Sequence, residues 1–587
     1  MSLSFISTLN EALQGAFSAA GYDPKYGIVT PSNRPDLCEY QCHGAMAAAK
    51  QYHCAPFEIA EKVAAVLSEN EAFSEVSAVR PGFINLTVSP AFLAGFSASM
   101  SATDGFGVAF PEPKTIIIDY GGPNVAKPLH IGHLRTAIIG ESVKRILQYM
   151  GHRVIGDIHL GDWGLQFGLI IEELRDRKPD LPYFDPDYVG DYPTDAPFTL
   201  SELEEIYPAA SARSKEDEEF LSRAHQRTYL LQHEDPATKA LWHHIMKLST
   251  EDEKKIYDEL DVHFDLWNGE SDAAPYVPEV VSIVKEKGLS RISEGALIVD
   301  VQEESDKREV PPCIILKSDG AALYQTTDLG TLIMRMREYN PDEVIYVTDK
   351  RQELHFTQVF RVAKKAGIVK PETELVHIGY GTMNGKDGKP FKTRSGGVMR
   401  LESLLSEIYD AVRDKMKERY QDEELSEETV RQVGLSAIKY GDLSNQAAKD
   451  YNFDIDRFAS FEGNTGPYIL YSIVRIRSIL RKAQAVLSEQ PDFTPLSDAS
   501  GNLKALLLTI AGFPDMIANA AEELAPHKIC AYIYQLSDVF NSFYHDTPIL
   551  REEDPVKKQA YLELLSLVER ILTPCIGLLG FSAPDRM

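Results

Sequence analysis

The residues best suited to chemistry lie in one short segment, Pro123-Asn-Val-Ala-Lys-Pro-Leu-His-Ile-Gly-His-Leu-Arg135. His130 and His133 are three residues apart, so on a helix they share one face. In a first helical turn their imidazoles lie beside free backbone N–H groups at the positive helix end, which suits a phosphate chain. Gly132 removes the side chain between them, so a flat base can approach the backbone. The pattern therefore predicts hydrogen-bond donors for the charge that builds during displacement at the α-phosphate of a nucleotide.

Two strands and a helix must position this segment. Thr115–Tyr120 has the composition of a buried strand, and Gly121-Gly122-Pro123 predicts a turn after it. Pro128 suits the first turn of a helix that continues to about Tyr149. Arg153–His159 predicts a second strand. Strand, helix and strand of these lengths form a βαβ unit, which predicts a parallel sheet as the scaffold.

The rest of the chain shows helical and strand-like segments in turn. Leu165 to about Gly288 is mostly helical in pattern and predicts an insertion between two halves of the sheet domain. Cys313–Thr327 is strand-like with a turn at Ser318-Asp319-Gly320, and we expect the following helix to begin near Asp328. From about Leu401 to the end, helical patterns dominate.

The composition limits the classes of function. The 88 acidic and 60 basic side chains give a formal net charge of -28. This charge argues against nonspecific nucleic-acid binding, in which Lys and Arg displace phosphate counterions. A specific RNA partner stays possible if the basic residues gather on one face.

The cysteines and the chain's apolar segments exclude further classes. Six cysteines do not form a disulfide framework. The cysteines and histidines between Cys38 and Cys54 match no common zinc spacing, so we expect no metal held by the protein itself. The first residues predict an amphipathic helix rather than a signal peptide, and no run of about 18 apolar residues predicts a membrane span. We therefore expect a cytoplasmic protein with no membrane contact.

Several motifs together resemble one known family. His130-Ile-Gly-His133 after a first strand is the signature of class I aminoacyl-tRNA synthetases, and the longer segment from Pro123 to Arg135 resembles the arginyl-tRNA synthetase family in particular. The resemblance covers nearly the whole chain. It continues in the family's order through His159–Gly168, Tyr324–Gly330, Gln352–Phe356, Phe391–Gly396 and the closing Ala-Pro-Asp-Arg-Met.

The resemblance implies an α/β fold with a Rossmann-like parallel-sheet catalytic domain, a helical insertion, a small α+β N-terminal domain and an all-α C-terminal domain. We expect a tRNA-contacting domain at residues 1–110 and the catalytic domain at 111–400, with its insertion at about 165–288. A helical connector at 401–466 and an anticodon-binding domain at 467–587 would follow. The implied reaction ligates arginine to the 3′ end of its tRNA through an arginyl-adenylate, consumes ATP, and releases AMP and pyrophosphate.

This reaction needs no protein nucleophile. The arginine carboxylate attacks the α-phosphate, so catalysis would come from positioning and charge stabilisation. His130, His133 and Lys127 are the candidate catalytic residues of this segment, and together with Gly132 they are the candidates for binding ATP. Mg²⁺ is expected to accompany the ATP phosphates.

One loop departs from the pattern of the class. Class I enzymes usually carry a Lys-Met-Ser-Lys-Ser loop, but the equivalent Pro390-Phe-Lys-Thr-Arg394 has Thr393 in place of the second lysine. Many arginyl enzymes share this lack, and Lys127 matches the lysine that is thought to act instead. Lys392 and Arg394 are further catalytic candidates. The sequence leaves open which cation contributes most.

A site that selects arginine should offer carboxylates and planar acceptors near the strand ends, because a guanidinium carries five donors and a fixed charge. By resemblance, Asn124 matches a position that holds the α-amino or carboxylate end of the substrate. The positions that hold its side chain are matched by Asp119, Tyr324, Asp328 and Gln352. Each has an ordinary structural alternative: a helix N-cap for Asp328, a turn residue for Asp119, and packing or surface positions for the other two.

The C-terminal helical region resembles the anticodon-binding domain of the family. Tyr468, Tyr471 and Arg475 lie on one predicted helix there and are candidates for stacking on bases and contacting phosphates. An amphipathic core helix explains the tyrosines almost as well. The expected partners are tRNA(Arg), arginine and ATP, and we expect a monomer.

Three other functions stay open on the sequence alone. The chain could be a synthetase for glutamine, glutamate or cysteine, a small nucleotidyltransferase with the same histidine helix, or a non-catalytic tRNA-binding relative. The chain length and helical tail disfavour the nucleotidyltransferase. The retained His130, His133 and Lys127 disfavour a loss of activity.

Overall fold

The protein is described by a computed structural model over residues 4–385, 388–389, 399–419 and 426–587. Its contacts separate two compact units. We call Met1–Pro111, Lys415–Ser444 and Arg457–Met587 the terminal unit, and Glu112–Asp414 with Asn445–Asp456 the central unit. The four predicted domain ranges stay predictions, because a division into two units does not test them.

The first part of the terminal unit is a small α+β structure. A four-stranded antiparallel sheet has the order β1-β2-β4-β3. The helix Phe5–Ala19 begins at Ser4, whose side chain accepts a hydrogen bond from the Ser7 N–H, and it buries an apolar face. The strands and helices are β1 (Val29–Pro31), β2 (Tyr40–Cys42), β3 (Phe73–Val79), β4 (Phe83–Val88), α1 (Phe5–Ala19), α2 (Gly44–Tyr52), α3 (Pro56–Leu67) and α4 (Pro90–Ser101).

The central unit contains the parallel sheet that the sequence predicts. The strands of the central unit are β5 (Thr115–Asp119), β6 (Arg153–Asp157), β7 (Ser290–Ser293), β8 (Ala296–Val299), β9 (Cys313–Leu316), β10 (Glu343–Asp349), β11 (Glu374–Tyr380), β12 (Met383–Asn384) and β13 (Tyr451–Asn452). The helices of the central unit are α5 (Ile131–Tyr149), α6 (Leu165–Arg177), α7 (Leu200–Arg213), α8 (Glu218–Gln232), α9 (Pro236–Glu259), α10 (Glu270–Ala273), α11 (Val277–Glu286), α12 (Tyr324–Glu338) and α13 (Glu353–Ala366), followed by α14 (Leu401–Arg419), which ends in the terminal unit.

The main sheet has the order β11-β10-β5-β6, and every neighbouring pair is parallel. The isoleucines of β5 are buried, as expected for a central strand that is covered on both faces. Parallel pairing brings the carboxyl ends of the strands to one edge. Asp119 of β5 is therefore in register with Asp157 of β6 and with Tyr346 of β10.

Helix α5 is fixed tightly to this edge. Gly140 allows the close approach, because a Cβ there would lie 2.3 Å from the Tyr120 ring. The Thr136 hydroxyl donates to the Val347 carbonyl at 2.7 Å and accepts from the Gly121 N–H at 2.9 Å. The start of α5 is thereby held over the strand ends.

Two predicted helix starts are wrong. The helix expected to contain Pro128 in its first turn begins at Ile131, because His130 is its N-cap. The strand-like segment expected over Cys313–Thr327 has the predicted turn at Ser318-Asp319-Gly320, but its strand ends at Leu316, and the next helix begins at Tyr324 rather than near Asp328. The Thr326 hydroxyl donates to the Ile315 carbonyl, so the chain folds back on β9 and enters the helix early. Tertiary contact overrides the β propensity of this threonine-rich stretch.

The C-terminal part of the terminal unit is helical, which confirms the predicted all-α region. Its helices are α15 (Glu427–Leu443), α16 (Ile455–Phe458, which begins in the central unit), α17 (Gly466–Ala483), α18 (Gly501–Ala511), α19 (Phe513–Glu522), α20 (Pro526–Asp546) and α21 (Pro555–Leu578). Among the described residues no single helix is long and apolar enough to cross a membrane; α18 and α19 reach that length and hydropathy only as a pair bent by 42°.

Candidate active site

The first turn of α5 holds the two histidines in a reciprocal cap. His130 is the N-cap, and its Nδ1 accepts a hydrogen bond from the Gly132 N–H at 3.0 Å. His133 reaches back, and its Nδ1 accepts from the His130 N–H at 3.1 Å. The two rings are stacked with their centroids 4.0 Å apart. The sequence thus places both imidazoles side by side at a helix N-terminus.

Burial determines the charge of the two rings, and the cap determines which ring nitrogen carries the proton. Burial lowers the pKa of His130, and it lowers the pKa of His133 to about 3, so both rings are neutral near pH 7. Because each Nδ1 already accepts a hydrogen bond, each neutral ring carries its proton on Nε2. The site therefore presents two neutral N–H donors beside the positive end of a helix.

Small residues and a lysine complete this part of the site. Gly132 is exposed, and a Cβ on it would lie 2.8 Å from the His130 ring. Lys127 is partly buried, with its ammonium 4.9 Å from the centre of the Tyr207 ring. Lys392 and Arg394, the other predicted catalytic cations, lie outside the described residues.

The chain on both sides of the loop that contains Lys392 is attached to α5 or to its N-terminal turn. On the preceding side, the buried Arg135 of α5 donates to the Gly381 carbonyl at 2.6 Å. On the following side, the Ile131 N–H donates to the Met399 carbonyl at 3.0 Å, and the Leu401 N–H donates to the Leu129 carbonyl at 2.9 Å.

Short backbone bridges extend the sheet edge sideways from the histidine segment. Asn124 is exposed and pairs with Gly161, and Leu160 pairs with Gly269. A Cβ on Gly161 would lie 2.7 Å from the Asn124 side-chain oxygen. Asn124 is therefore connected through two bridges to the start of α10, where Glu270 lies.

The start of α12 brings two more predicted residues together. Tyr324 is the first helical residue and is 69% exposed, and Asp328 follows one turn later. Asp328 is not an N-cap, because Leu323 occupies that position. Its carboxylate contacts the His355 Nε2 of α13. Gln352, at the N-cap of that same helix, is exposed.

Glu270 is a candidate that the sequence analysis missed. Burial raises the pKa of Glu270 to about 7, with His159 opposing the rise and the charges of Asp162 and Asp328 adding to it. The Glu270 charge in turn raises the pKa of Tyr324 alongside burial. Glu270, Asp328 and Tyr324 therefore lie within electrostatic range of one another. No sequence motif marks Glu270, which follows an unremarkable glycine.

Asp119, predicted to hold arginine, has an unforeseen partner. The Arg335 Nη2 donates to the Asp119 Oδ2 at 2.6 Å and to the Asp157 Oδ2 at 2.8 Å. Burial raises the pKa of Asp119, and the charges of Arg335 and His159 oppose that rise. One oxygen of Asp119 is thus already occupied by an internal guanidinium.

The Gly161-Asp162-Trp163 turn is held by buried contacts. The Asp162 carboxylate accepts from the Ser271 N–H at 2.9 Å and from the Ser271 hydroxyl. Its backbone carbonyl accepts from the Trp242 indole at 2.8 Å, and the Trp163 and Trp242 rings meet edge to face. These contacts fix the conformation of the turn, and we assign no chemical step to it.

The terminal unit contains a separate basic groove of about 820 Å³. Tyr471 and Arg475 of α17 line it, and the Arg475 Nη2 donates to the Tyr471 hydroxyl at 2.9 Å. Tyr468 is not among the lining residues, and its hydroxyl accepts from the Asn541 side chain at 3.0 Å. The other lining residues are Val474, Ser478, Ile479, Arg481, Lys482, Tyr544, Leu550, Arg586 and Met587.

Within the described part of the chain, no three His, Cys, Asp or Glu side chains are grouped so that they could hold a metal ion.

Comparison with known proteins agrees with this geometry. The family described as tRNA synthetases class I (R), catalytic domain, matches residues 97–455. The DALR anticodon binding domain matches residues 469–587, and the arginyl tRNA synthetase N terminal domain matches residues 4–88. A parallel sheet with a histidine-capped helix and this match define a class I aminoacyl-tRNA synthetase.

Full-length relatives identify the family within this class. The chain is 60% identical to an arginine–tRNA ligase of Agathobacter rectalis and 52% identical to one of Alkaliphilus oremlandii, with 99% of each chain covered. The arginyl-tRNA synthetase structure of Plasmodium falciparum has a TM-score of 0.81 at 26% identity and covers 100% of both chains. The fold also matches that of the Thermus thermophilus enzyme, with a TM-score of 0.76 at 23% identity over 99% of this chain and 100% of that one. The chain belongs to the arginyl-tRNA synthetase family.

The neutral cap predicts a pH-dependent stability. The folded-state pKa of His133 is about 3, below the value of about 6.5 expected in the unfolded chain. The unfolded chain therefore binds more protons between these values, so the free energy of unfolding falls as the pH decreases through this window. We expect the thermal midpoint of the His133→Gln variant to fall less between pH 7 and pH 5 than that of the wild type. Glutamine preserves the cap acceptor without titrating, so equal losses in both proteins would contradict the assignment.

Proposed function

We propose that this chain activates arginine with ATP and transfers it to the 3′ end of tRNA, and that the His130–His133 cap stabilises the reacting phosphates. The observation that supports this most strongly is the reciprocal cap, which leaves two Nε2–H donors at a helix N-terminus. The arginine carboxylate attacks the α-phosphorus of ATP, and pyrophosphate leaves. The terminal ribose hydroxyl of tRNA then attacks the arginyl carbonyl, and AMP leaves.

ATP would bind along the first turn of α5. His130 and His133 donate to phosphate oxygens, and the exposed Gly132 leaves room for the adenine or ribose against the backbone. Lys127 leaves the Tyr207 ring to reach the phosphates, because a lysine side chain is long and rotatable. Neutral donors suit this task, since they do not bind a proton near pH 7.

Lys392 and Arg394 are proposed to add charge from the neighbouring loop. The contacts of Gly381 with α5 and of Met399 with its N-terminal turn support this, because they attach the flanking chain close to the histidines. Mg²⁺ would arrive with ATP and bind its phosphate oxygens.

Arginine would bind beyond the histidines, where acidic side chains lie near the strand ends. Asp328 and Glu270 are proposed to accept from the guanidinium, and Tyr324 covers one side. Gln352 and Asp119 extend this set, and Asn124 would hold the α-amino or carboxylate end of the substrate. A buried carboxylate near neutral pKa gains its charge most readily beside a cation, so substrate binding would ionise Glu270.

The anticodon end of tRNA is proposed to bind the basic groove of the terminal unit. Tyr471 and Arg475 offer a ring and a guanidinium for stacking on unpaired bases. Tyr468 would act through Asn541, whose amide it accepts from. A monomeric state and a cytoplasmic location are retained as proposals.

Replacing both histidines tests the proposed chemistry. We expect His130→Ala with His133→Ala to lower arginine-dependent ATP–pyrophosphate exchange by at least about 10³-fold, because two donors to the developing charge are lost. Binding of tRNA should persist in a filter-binding assay. The exposed His263→Ala variant is the control and should exchange like the wild type. Unimpaired exchange in the double variant would remove the proposed mechanism.

The acidic pocket predicts a pH-dependent affinity for arginine. A guanidinium prefers an ionised carboxylate, and the pKa of Glu270 is about 7, so the KM for arginine should fall as the pH rises from 6 to 8. In Glu270→Gln this fall should disappear. In Asp328→Asn, the KM for arginine should rise by about 10²-fold or more, since a charge-assisted contact is lost.

The control for these variants is Asp300→Asn, at an exposed ion pair with Arg291. A KM for arginine in Asp328→Asn that matches this control would exclude Asp328 from the pocket.

The basic groove predicts a separable tRNA defect. Arg475→Gln with Tyr471→Ala should raise the KM for tRNA by about tenfold or more, since stacking and phosphate contacts are lost. Exchange of pyrophosphate at saturating tRNA should remain close to wild type. Arg431→Gln, at an exposed ion pair with Glu428, is the control. An unchanged KM for tRNA would place the anticodon contact elsewhere.

A further inference from the structure

Arg335 forms a buried three-charge cluster at the strand ends. Its side chain is fully buried, and one of its nitrogens, Nη2, donates to both Asp119 and Asp157. These two carboxylates are in-register neighbours on β5 and β6. The centre of the Tyr346 ring lies 5.4 Å from the guanidinium carbon of Arg335. The cluster therefore joins three elements of the main sheet to α12.

The stability of this buried cluster depends on the Arg335 guanidinium. A buried carboxylate without a cation is costly, so loss of the guanidinium would leave two uncompensated charges side by side. With Arg335 in place, one guanidinium serves two neighbouring carboxyl groups. Burial raises the pKa of Asp119, and Arg335 opposes that rise, so the guanidinium favours the charged form of this residue.

The cluster is connected directly to the proposed arginine pocket. Asp328 precedes Arg335 by seven residues on α12, two turns along the same helix face. On the other side, the His159 N–H donates to the Asp157 Oδ1 at 3.3 Å. His159 is followed by Leu160, whose carbonyl accepts a hydrogen bond from the Glu270 N–H at 3.0 Å. A shift of Arg335 would therefore move both walls of the pocket.

We infer that Arg335 is a positioning residue for arginine recognition: it occupies Asp119 and Asp157 and thereby holds Asp328 and Glu270 in place for the substrate guanidinium. The inference rests on the proposed function. It adds a requirement that the proposed function does not contain, namely an internal guanidinium beside a site for a second one. The length and planar shape of the Arg335 side chain matter as well as its charge, because they place a single nitrogen, Nη2, between the two carboxylates. The shorter side chain of a lysine does not place its ammonium at the same point.

Variants of Arg335 and a small guanidinium ion test this inference. We expect R335K to fold and to raise the KM for arginine by about tenfold or more, because small displacements of binding groups have effects of this size. The KM for ATP should change by less than about twofold, since the histidine cap is not attached to Arg335. The KM for arginine should rise further in R335A. Methylguanidinium should partly restore the activity of R335A, and the restored activity should reach a plateau as the methylguanidinium concentration increases.

Two controls test whether the rescue is specific to a guanidinium ion and to the site of Arg335. Methylammonium at the same concentration should not restore R335A, and methylguanidinium should not affect R361A, in which a fork to Asp306 elsewhere in the central unit is removed. Methylguanidinium also competes with arginine at the substrate site. Its inhibition of the wild type is therefore measured, and the activity of R335A is corrected for it.

The inference is wrong if R335K keeps the wild-type KM for arginine, or if the KM for arginine and the KM for ATP rise together in it. It is also wrong if R335A folds and methylguanidinium restores no more activity than methylammonium. If R335A does not fold, the comparison of R335K with the wild type decides. Failure of the proposed function is recognised separately, because the wild type would then show no arginine-dependent exchange.

Discussion

The two hydrogen bonds that His130 and His133 make across the first turn of α5 are the interaction on which the proposed site depends. They satisfy backbone N–H groups that a helix start leaves free, and they fix the face of each ring. Because the Nδ1 atoms are used within the protein, the Nε2–H groups are the ones available to a ligand. Burial keeps the rings neutral, and the cap bonds fix the tautomer of each ring.

The sheet explains why this turn has the right surroundings. Parallel strands end at one edge, and α5 is attached to that edge through Thr136 and Gly140. The loops that follow β6 and precede α10 continue the edge through short bridges. Asp119 and Asp157 therefore meet at this edge. Arg335 relieves the repulsion between these two carboxylates, and the Asp328 carboxylate contacts His355.

Sequence patterns predicted the fold and the family because these depend on local features. The strand before Gly121, the histidine spacing and the second strand all lie within one βαβ unit. Arg335 could not be found this way, because it contacts Asp119 across 216 residues and resembles any basic helix residue. Glu270 has no motif, and the role we propose for it follows only from the burial and charges around it. The start of α12 was mispredicted for a similar reason, since the Thr326 contact with β9 is tertiary.

A crystal structure with a non-hydrolysable arginyl-adenylate analogue tests whether the histidine cap faces the reacting phosphate. We predict that the Nε2 atoms of both His130 and His133 lie within about 3.2 Å of the group that replaces the phosphate. We also predict that the Nδ1 atoms keep their backbone partners while the ligand guanidinium meets Asp328 and Glu270. Rings turned away from the ligand, or an Nδ1 atom facing it, would contradict the account.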